Sequence, residues 1–107
     1  MRIPDGSILF AVFLAACGPG VGSIGAVLRP VGGVLRVEEA PPGLAGAHGG
    51  LQAGDEVTHI DGADVREMSP DEIRRRLRGE VGSRVRLLVV RGDRVEEITI
   101  ERAPFRR

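Results

Sequence analysis

The chain has 107 residues with 15 basic and 15 acidic side chains, so its formal net charge is zero. That length fits one small domain rather than a two-domain enzyme. Charge balance speaks against a nucleic-acid partner, which needs a concentrated positive surface. Apolar residues make up 42% and aromatics only 3%, so the core must be aliphatic, and 16 Gly with 7 Pro point to tight turns rather than a helical bundle.

The first element is an unbroken apolar run over residues 8–16, ending at Cys17. It is too short to span a bilayer, which takes about 20 residues, but it suits the hydrophobic region of a secretory signal peptide. Leu14-Ala15-Ala16-Cys17 resembles a bacterial lipobox, which implies a signal peptide over 1–16, lipidation of Cys17 and a Gly-rich tether over 17–22. The expected location is then a bacterial membrane, on its extracytoplasmic face. The other reading is a buried amino-terminal strand with an inert core cysteine, which would leave the chain in the cytoplasm. A single cysteine excludes an internal disulfide framework.

Residues 22–28 and 33–39 read as strands flanking a Pro30-Val31-Gly32-Gly33 turn. Residues 40–50 hold two Pro and four Gly, so they form a loop with at most one helical turn. A third strand covers 55–60 and ends at Asp61-Gly62, a strong turn pair. Ser69-Pro70-Asp71-Glu72 then opens the one convincing helix, with Ser69 as N-cap, Pro70 in the first turn and Glu72 completing a capping box. Ile73 and Leu77 mark its buried stripe, Gly79 stops it, and Arg74-Arg75-Arg76 with Arg78 reads as a solvated face. Val85, Leu87 and Val89 alternate along a last strand, Arg91-Gly92-Asp93-Arg94 turns the chain, and residues 95–102 return with Ile98 and Ile100 inward. The expected fold is mainly β with α: a partly open antiparallel barrel of five to six strands, capped by one main and one short helix.

Catalytic chemistry is hard to find. All fifteen basic residues are Arg, so no Ser–Lys dyad, Schiff base or P-loop lysine can form. His48 and His59 lack ligand-spaced partners, and Asp55, Glu56, Asp61 and Asp64 serve turns rather than an EF-hand. Ser69 and Ser83 belong to a cap and a turn, and no Gly-x-Ser-x-Gly elbow is present. No cofactor and no metal are expected, and binding is the better hypothesis than catalysis.

Several segments together resemble a PDZ domain, of the circularly arranged kind found in bacterial C-terminal processing proteases. They are Ser23-Ile24-Gly25-Ala26-Val27, Gly50-Leu51-Gln52-Ala53-Gly54-Asp55-Glu56-Val57, Ile60-Asp61-Gly62, Met68-Ser69-Pro70-Asp71-Glu72-Ile73 and Leu77-Arg78-Gly79. The hairpin from Val85 to Arg91 and the strand Ile98-Thr99-Ile100-Glu101-Arg102 complete the set. The resemblance sets a PDZ domain at 23–103, with a basic tail at 104–107.

The resemblance implies peptide binding by strand addition. Ile24, Gly25 and Ala26 match the loop whose N–H groups hold a partner's terminal carboxylate, with Ser23 standing where the loop's first Gly is usual. Val27 and Leu28 would pair with the peptide, and Pro70, Arg74 and Leu77 would line the opposite wall. Arg74 replaces a residue that is usually aliphatic or small. It either favours an acidic ligand residue or snorkels into solvent. The expected protein is thus a membrane-tethered, non-catalytic module that binds peptide or protein carboxyl termini or extended segments, with no nucleic-acid partner. The alternatives are a regulatory or truncated piece of a C-terminal processing serine protease, and an assembly module that meets a protease or secretion component.

Overall fold

A computed structural model describes residues 21–104. The apolar run, Cys17 and the tether up to Gly20 lie outside the described residues, as do residues 105–107 of the tail. Nine short strands carry the fold: β1 (Val21–Ser23), β2 (Val27–Val31), β3 (Val34–Glu39), β4 (Glu56–Ile60), β5 (Ala63–Asp64), β6 (Gly79–Glu80), β7 (Arg84–Arg91), β8 (Arg94–Glu101) and β9 (Ala103–Pro104). A short helix α1 (Ala45–Gly49) follows β3, and the main helix α2 (Pro70–Leu77) follows β5 and a 3-10 turn at Val65–Glu67. The larger antiparallel sheet runs β2-β3-β4-β7-β8, with β5 added beside β4, and a small sheet pairs β6-β1-β9. The sheet does not close, which is the mainly β, partly open and helix-capped architecture expected from the sequence.

Strand alternation sets the register. Leu35 pairs Val57, Val57 pairs Val89 and Leu87 pairs Ile98, and all five are buried. They join Ile24, Ala26, Leu28, Ile73 and Leu77 in one core, which is aliphatic among the described residues. Branched aliphatic side chains on pleated strands interdigitate well enough to fill such a core. Gly32 and Gly33, both at positive φ, make the two-residue turn between β2 and β3. Asp61 is the only other kind of residue at positive φ among those described, and it precedes Gly62 in the turn before β5. Its carboxylate accepts the Arg86 N–H at 2.9 Å, which secures that turn to β7.

The structure departs from the sequence expectations at four places. The strand expected over 22–28 is broken into β1 and β2, because Gly25 at φ 63° turns the chain between them. The 40–50 loop holds five helical residues rather than a single turn. Only half of the capping box forms: Ser69 Oγ accepts the Glu72 N–H at 3.1 Å, but the Glu72 carboxylate pairs with Arg76 Nε, also at 3.1 Å. Gly79 does not end α2 through a left-handed cap, since Arg78 leaves the helix in extended backbone and Gly79 enters β6.

The reason for Gly79 is Arg102. This side chain is 7% exposed and follows Ile98 and Ile100 on the inward parity of the last strand. Its guanidinium donates to the Leu77 carbonyl at 3.0 Å, the Arg76 carbonyl at 2.7 Å, the Arg84 carbonyl at 3.3 Å and Ser83 Oγ at 2.8 Å. A Cβ on Gly79 would lie 2.9 Å from that guanidinium, and one on Gly22 would lie 2.8 Å from Arg102 Cβ. Burial lowers the Arg102 pKa and the Asp61 carboxylate opposes the shift, while guanidinium basicity leaves the group cationic.

A buried carboxylate, Asp55, and a half-buried Arg91 join the region after α1 to the β7–β8 hairpin. Asp55 is 1% exposed and receives Arg91 Nε and Nη2, each at 2.8 Å, plus the Gln52 N–H at 2.9 Å. Arg91 also donates to the Gly50 carbonyl at 2.8 Å. Burial raises the Asp55 carboxyl pKa, but the Arg91 and Gln52 hydrogen bonds outweigh it and hold the group below its ordinary 3.8. On the surface, Arg66 holds the Asp64 carboxyl at about 2 through its side chain and its N–H.

Arg102→Met should cost about 3 kcal/mol, because it leaves the α2 carbonyls buried without donors. Arg102→Lys should recover little, since one ammonium cannot serve four spread acceptors. Urea unfolding followed by far-UV circular dichroism measures both, the chain having no Trp or Tyr. Asp55 has a depressed folded pKa, so its contribution is full above about pH 4 and fades as pH falls through the folded value. Asp55→Asn should therefore be less stable than wild type at pH 7 and lose less on acidification from pH 5 to 2, as thermal melts would show.

Candidate peptide-binding site

The segment between β1 and β2 is the most constrained backbone among the described residues. Gly25 turns at φ 63°, where a Cβ would meet Leu44 Cβ at 2.8 Å and the Ala45 N at 2.9 Å. From the other side, a Cβ on Gly46 would meet the Ile24 carbonyl oxygen at 2.9 Å and Ala26 Cβ at 3.3 Å. Two glycines thus let the start of α1 press directly on the loop, fixing its shape from behind. On the far side of α1, a Cβ on Gly49 would lie 2.8 Å from the Thr99 carbonyl oxygen of β8. The helix is wedged between loop and sheet.

That wedge presents three successive amides. Among the described residues no backbone carbonyl accepts the N–H of Ile24, Gly25 or Ala26. Gly25 N–H reaches Ser23 Oγ at a long 3.4 Å. All three residues are nevertheless buried, and buried amides without acceptors are rare in folded proteins. Successive N–H groups free of backbone acceptors are what an anion-binding nest requires.

Beside the loop, β2 is an edge of the larger sheet among the described residues, with β3 as its partner there. Val27 is half-buried, Leu28 fully buried and Arg29 exposed, the last pairing with Glu38 of β3 at 2.9 Å. Pro70, Arg74 and Leu77 fall on one stripe of α2. Pro70 is exposed, Leu77 is buried in the same cluster as Ile24, Ala26 and Leu28, and the Arg74 side chain is only 17% exposed. Arg74 therefore does not snorkel into solvent.

A cleft lies on another side of the same loop. It encloses about 950 Å³ and is lined by Gly25, Ala26 and Val27, by Leu44, Ala45 and His48 of the α1 region, and by residues of β8 and β9. Of the sequence-predicted residues it gathers those three and leaves out Ile24, Leu28, Pro70, Arg74 and Leu77. The close approach of α1 to the loop, through Gly46, was not foreseen. Its signal was the Gly-Leu-Ala-Gly tetrad at 43–46, whose second Gly sits one helical step inside α1.

Residues 36–91, just over half of the chain, match the PDZ domain, and the chain belongs to that family. No curated protein matches the sequence. Solved structures share the fold. A photosystem II D1 C-terminal processing protease superposes with a TM-score of 0.72 at 22% identity over 90% of this chain, which spans only 26% of that protein. The PDZ domain of a carboxy-terminal protease from Vibrio cholerae, solved in complex with a peptide, gives 0.67 at 26% identity, covering 79% of this chain and 96% of that one. An HtrA-type protease with a decapeptide gives 0.65 at 18% identity, over 77% of this chain and 29% of that one. The family resemblance and the expected architecture therefore hold, and PDZ domains are non-catalytic modules.

Gly46→Ala weighs two effects of opposite sign. Ala favours the helix by about 1 kcal/mol, while forcing a methyl against the Ile24 carbonyl costs about 1–3 kcal/mol. The variant should be less stable by about 1 kcal/mol, with the Ile24–Ala26 amide resonances displaced. A variant more stable than wild type, with those resonances unmoved, would show that the loop is not held from behind.

Proposed function

We propose that this PDZ domain captures the carboxyl terminus of an extended peptide. The terminal carboxylate sits at the N–H groups of Ile24, Gly25 and Ala26, and the peptide adds as a strand to the open edge of β2. The observation that carries this reading is the juxtaposition, among the described residues, of three amides lacking backbone acceptors with an unpaired sheet edge, Val27–Val31, immediately downstream. Backbone pairing supplies affinity without reading sequence, and charge-assisted bonds at the loop distinguish a terminus from an internal segment. The Vibrio cholerae PDZ domain that shares 26% of its residues was itself solved with a peptide, which supports the same role here. Pro70, Arg74 and Leu77 of α2 form the second wall of the groove.

The reading extends to the amino terminus, where residues 1–16 act as a lipoprotein signal and Cys17 becomes the lipidated start of the mature chain. The domain then works at the extracytoplasmic face of a bacterial membrane. A second reading, favoured by the likeness to protease PDZ domains, has it deliver substrate termini to a processing protease. Peptides that bind should then be cleaved faster by that protease when the domain is present.

The deciding experiment titrates labelled peptides with free or amidated carboxyl termini into the domain while amide resonances are followed by NMR. Free termini should bind at least about tenfold tighter, shifting Ile24, Gly25 and Ala26. Equal binding of the two forms overturns carboxylate capture. For the anchor, wild type expressed in a bacterium should carry a lipid mass that Cys17→Ser lacks, and an unmodified wild type beginning at Met1 overturns it.

A further inference from the structure

Arg74 has an unusual environment for a helix arginine. Its Nη2 is held by the Asp71 carboxylate one turn back on the same helix. Its Nη1 is closed off from solvent and has no hydrogen-bond partner, the only buried side-chain nitrogen or oxygen among the described residues in that position. Asp71 is 69% exposed at its side chain, so the pair has one wet partner and one covered partner. Neighbouring arginines do not share this state: Arg76 is engaged by Glu72, Arg75 is exposed and Arg78 is half-buried.

A guanidinium N–H kept from water without an acceptor is costly, and the cost is removed when a ligand brings an acceptor to it. Arg74 shares the α2 stripe with Leu77, which packs in the cluster with Ile24, Ala26 and Leu28 of the loop and edge strand. We infer that Arg74 is the specificity-determining residue of the peptide groove, and that it selects a ligand with a carboxylate side chain, Asp or Glu, upstream of the terminal residue. The inference rests on the groove reading above and requires that Nη1, covered in the free domain, is uncovered as the ligand binds. A carboxylate suits Nη1 better than a neutral oxygen because the bond is charge-assisted and the site is dry. Asp71 holds the guanidinium by its other nitrogen and competes with the ligand for its charge. The exposed carboxylate is thus a tuning group, and removing it should tighten acidic peptides alone.

The test uses peptides with free carboxyl termini in matched pairs, Glu against Gln and Asp against Asn, at each of the three positions before the last residue. Wild type should prefer the acidic member at one position by about tenfold. Arg74→Gln should lose that preference, binding the acidic and the neutral member of each pair with equal affinity. Asp71→Asn should bind the acidic peptide several-fold tighter and leave the neutral one unchanged. Wild type without an acidic preference, or a preference that survives in Arg74→Gln, overturns the role of Arg74 while free termini still outbind amidated ones. Loss of all peptide binding by Arg74→Gln, with its amide spectrum intact, also overturns it, because the residue would then be needed for binding itself. Absence of any difference between free and amidated peptides on wild type sinks the groove reading, and this inference with it.

Discussion

Arg102 stands where the main helix, the small sheet and the last long strand meet, and it holds them with a cation rather than with apolar packing. Its guanidinium takes the last carbonyls of α2, at Arg76 and Leu77, and the entry to β7, at Ser83 and Arg84. A helix that ends without a left-handed cap leaves its final carbonyls without donors, and a positive charge there also suits the helix dipole. Four acceptors around one planar fork offset its desolvation, and the Asp61 carboxylate adds a smaller favourable charge. The position of α2, and with it Arg74 and Leu77, therefore depends on a residue at the far end of the chain.

This dependence explains two glycines that local rules misassign. Gly79 follows a helix and looks like a terminator, and Gly22 precedes the first apolar segment and looks like part of a tether. Each instead clears space for Arg102, one beside its guanidinium and one beside its Cβ. Strand parity held the clue, because Ile98, Ile100 and Arg102 share one face. A charged residue at an inward position is read as a strand end unless its acceptors are known, and those lie some 18–26 residues away in the sequence. Elements set by local chemistry were legible: the Ser69 cap, the Asp61-Gly62 turn and the β7–β8 hairpin. The two-residue strands β5, β6 and β9 were not, because two residues carry no periodicity.

The candidate site divides in the same way. Ile24, Gly25 and Ala26 could be picked out through the resemblance to the PDZ loop, not from their composition alone. What makes the loop rigid is the contact with α1 through Gly46, which depends on tertiary approach and leaves only a weak trace in composition. Arg74 was visible as an odd residue on the helix, but its covered Nη1 follows from how far α2 is drawn onto the core by Ile73 and Leu77. Sequence could supply two readings for that arginine, and burial separates them.

An open sheet edge is a liability, since any extended chain can pair with it. β2 limits the hazard with its own residues: Arg29 keeps a charge at the surface and Pro30 lacks an N–H to donate. Under the proposed reading these features also bound recognition. The amide nest at Ile24–Ala26 fixes where a peptide must end, and Pro30 interrupts the ladder four residues beyond Ala26. Only the last few ligand residues can therefore be read through the backbone. With so short a ladder, selectivity has to come from the opposite wall, where α2 offers one apolar side chain at Leu77 and one incompletely partnered cation at Arg74. Arg102, which holds the end of the helix that carries Arg74, would then support selectivity from a distance.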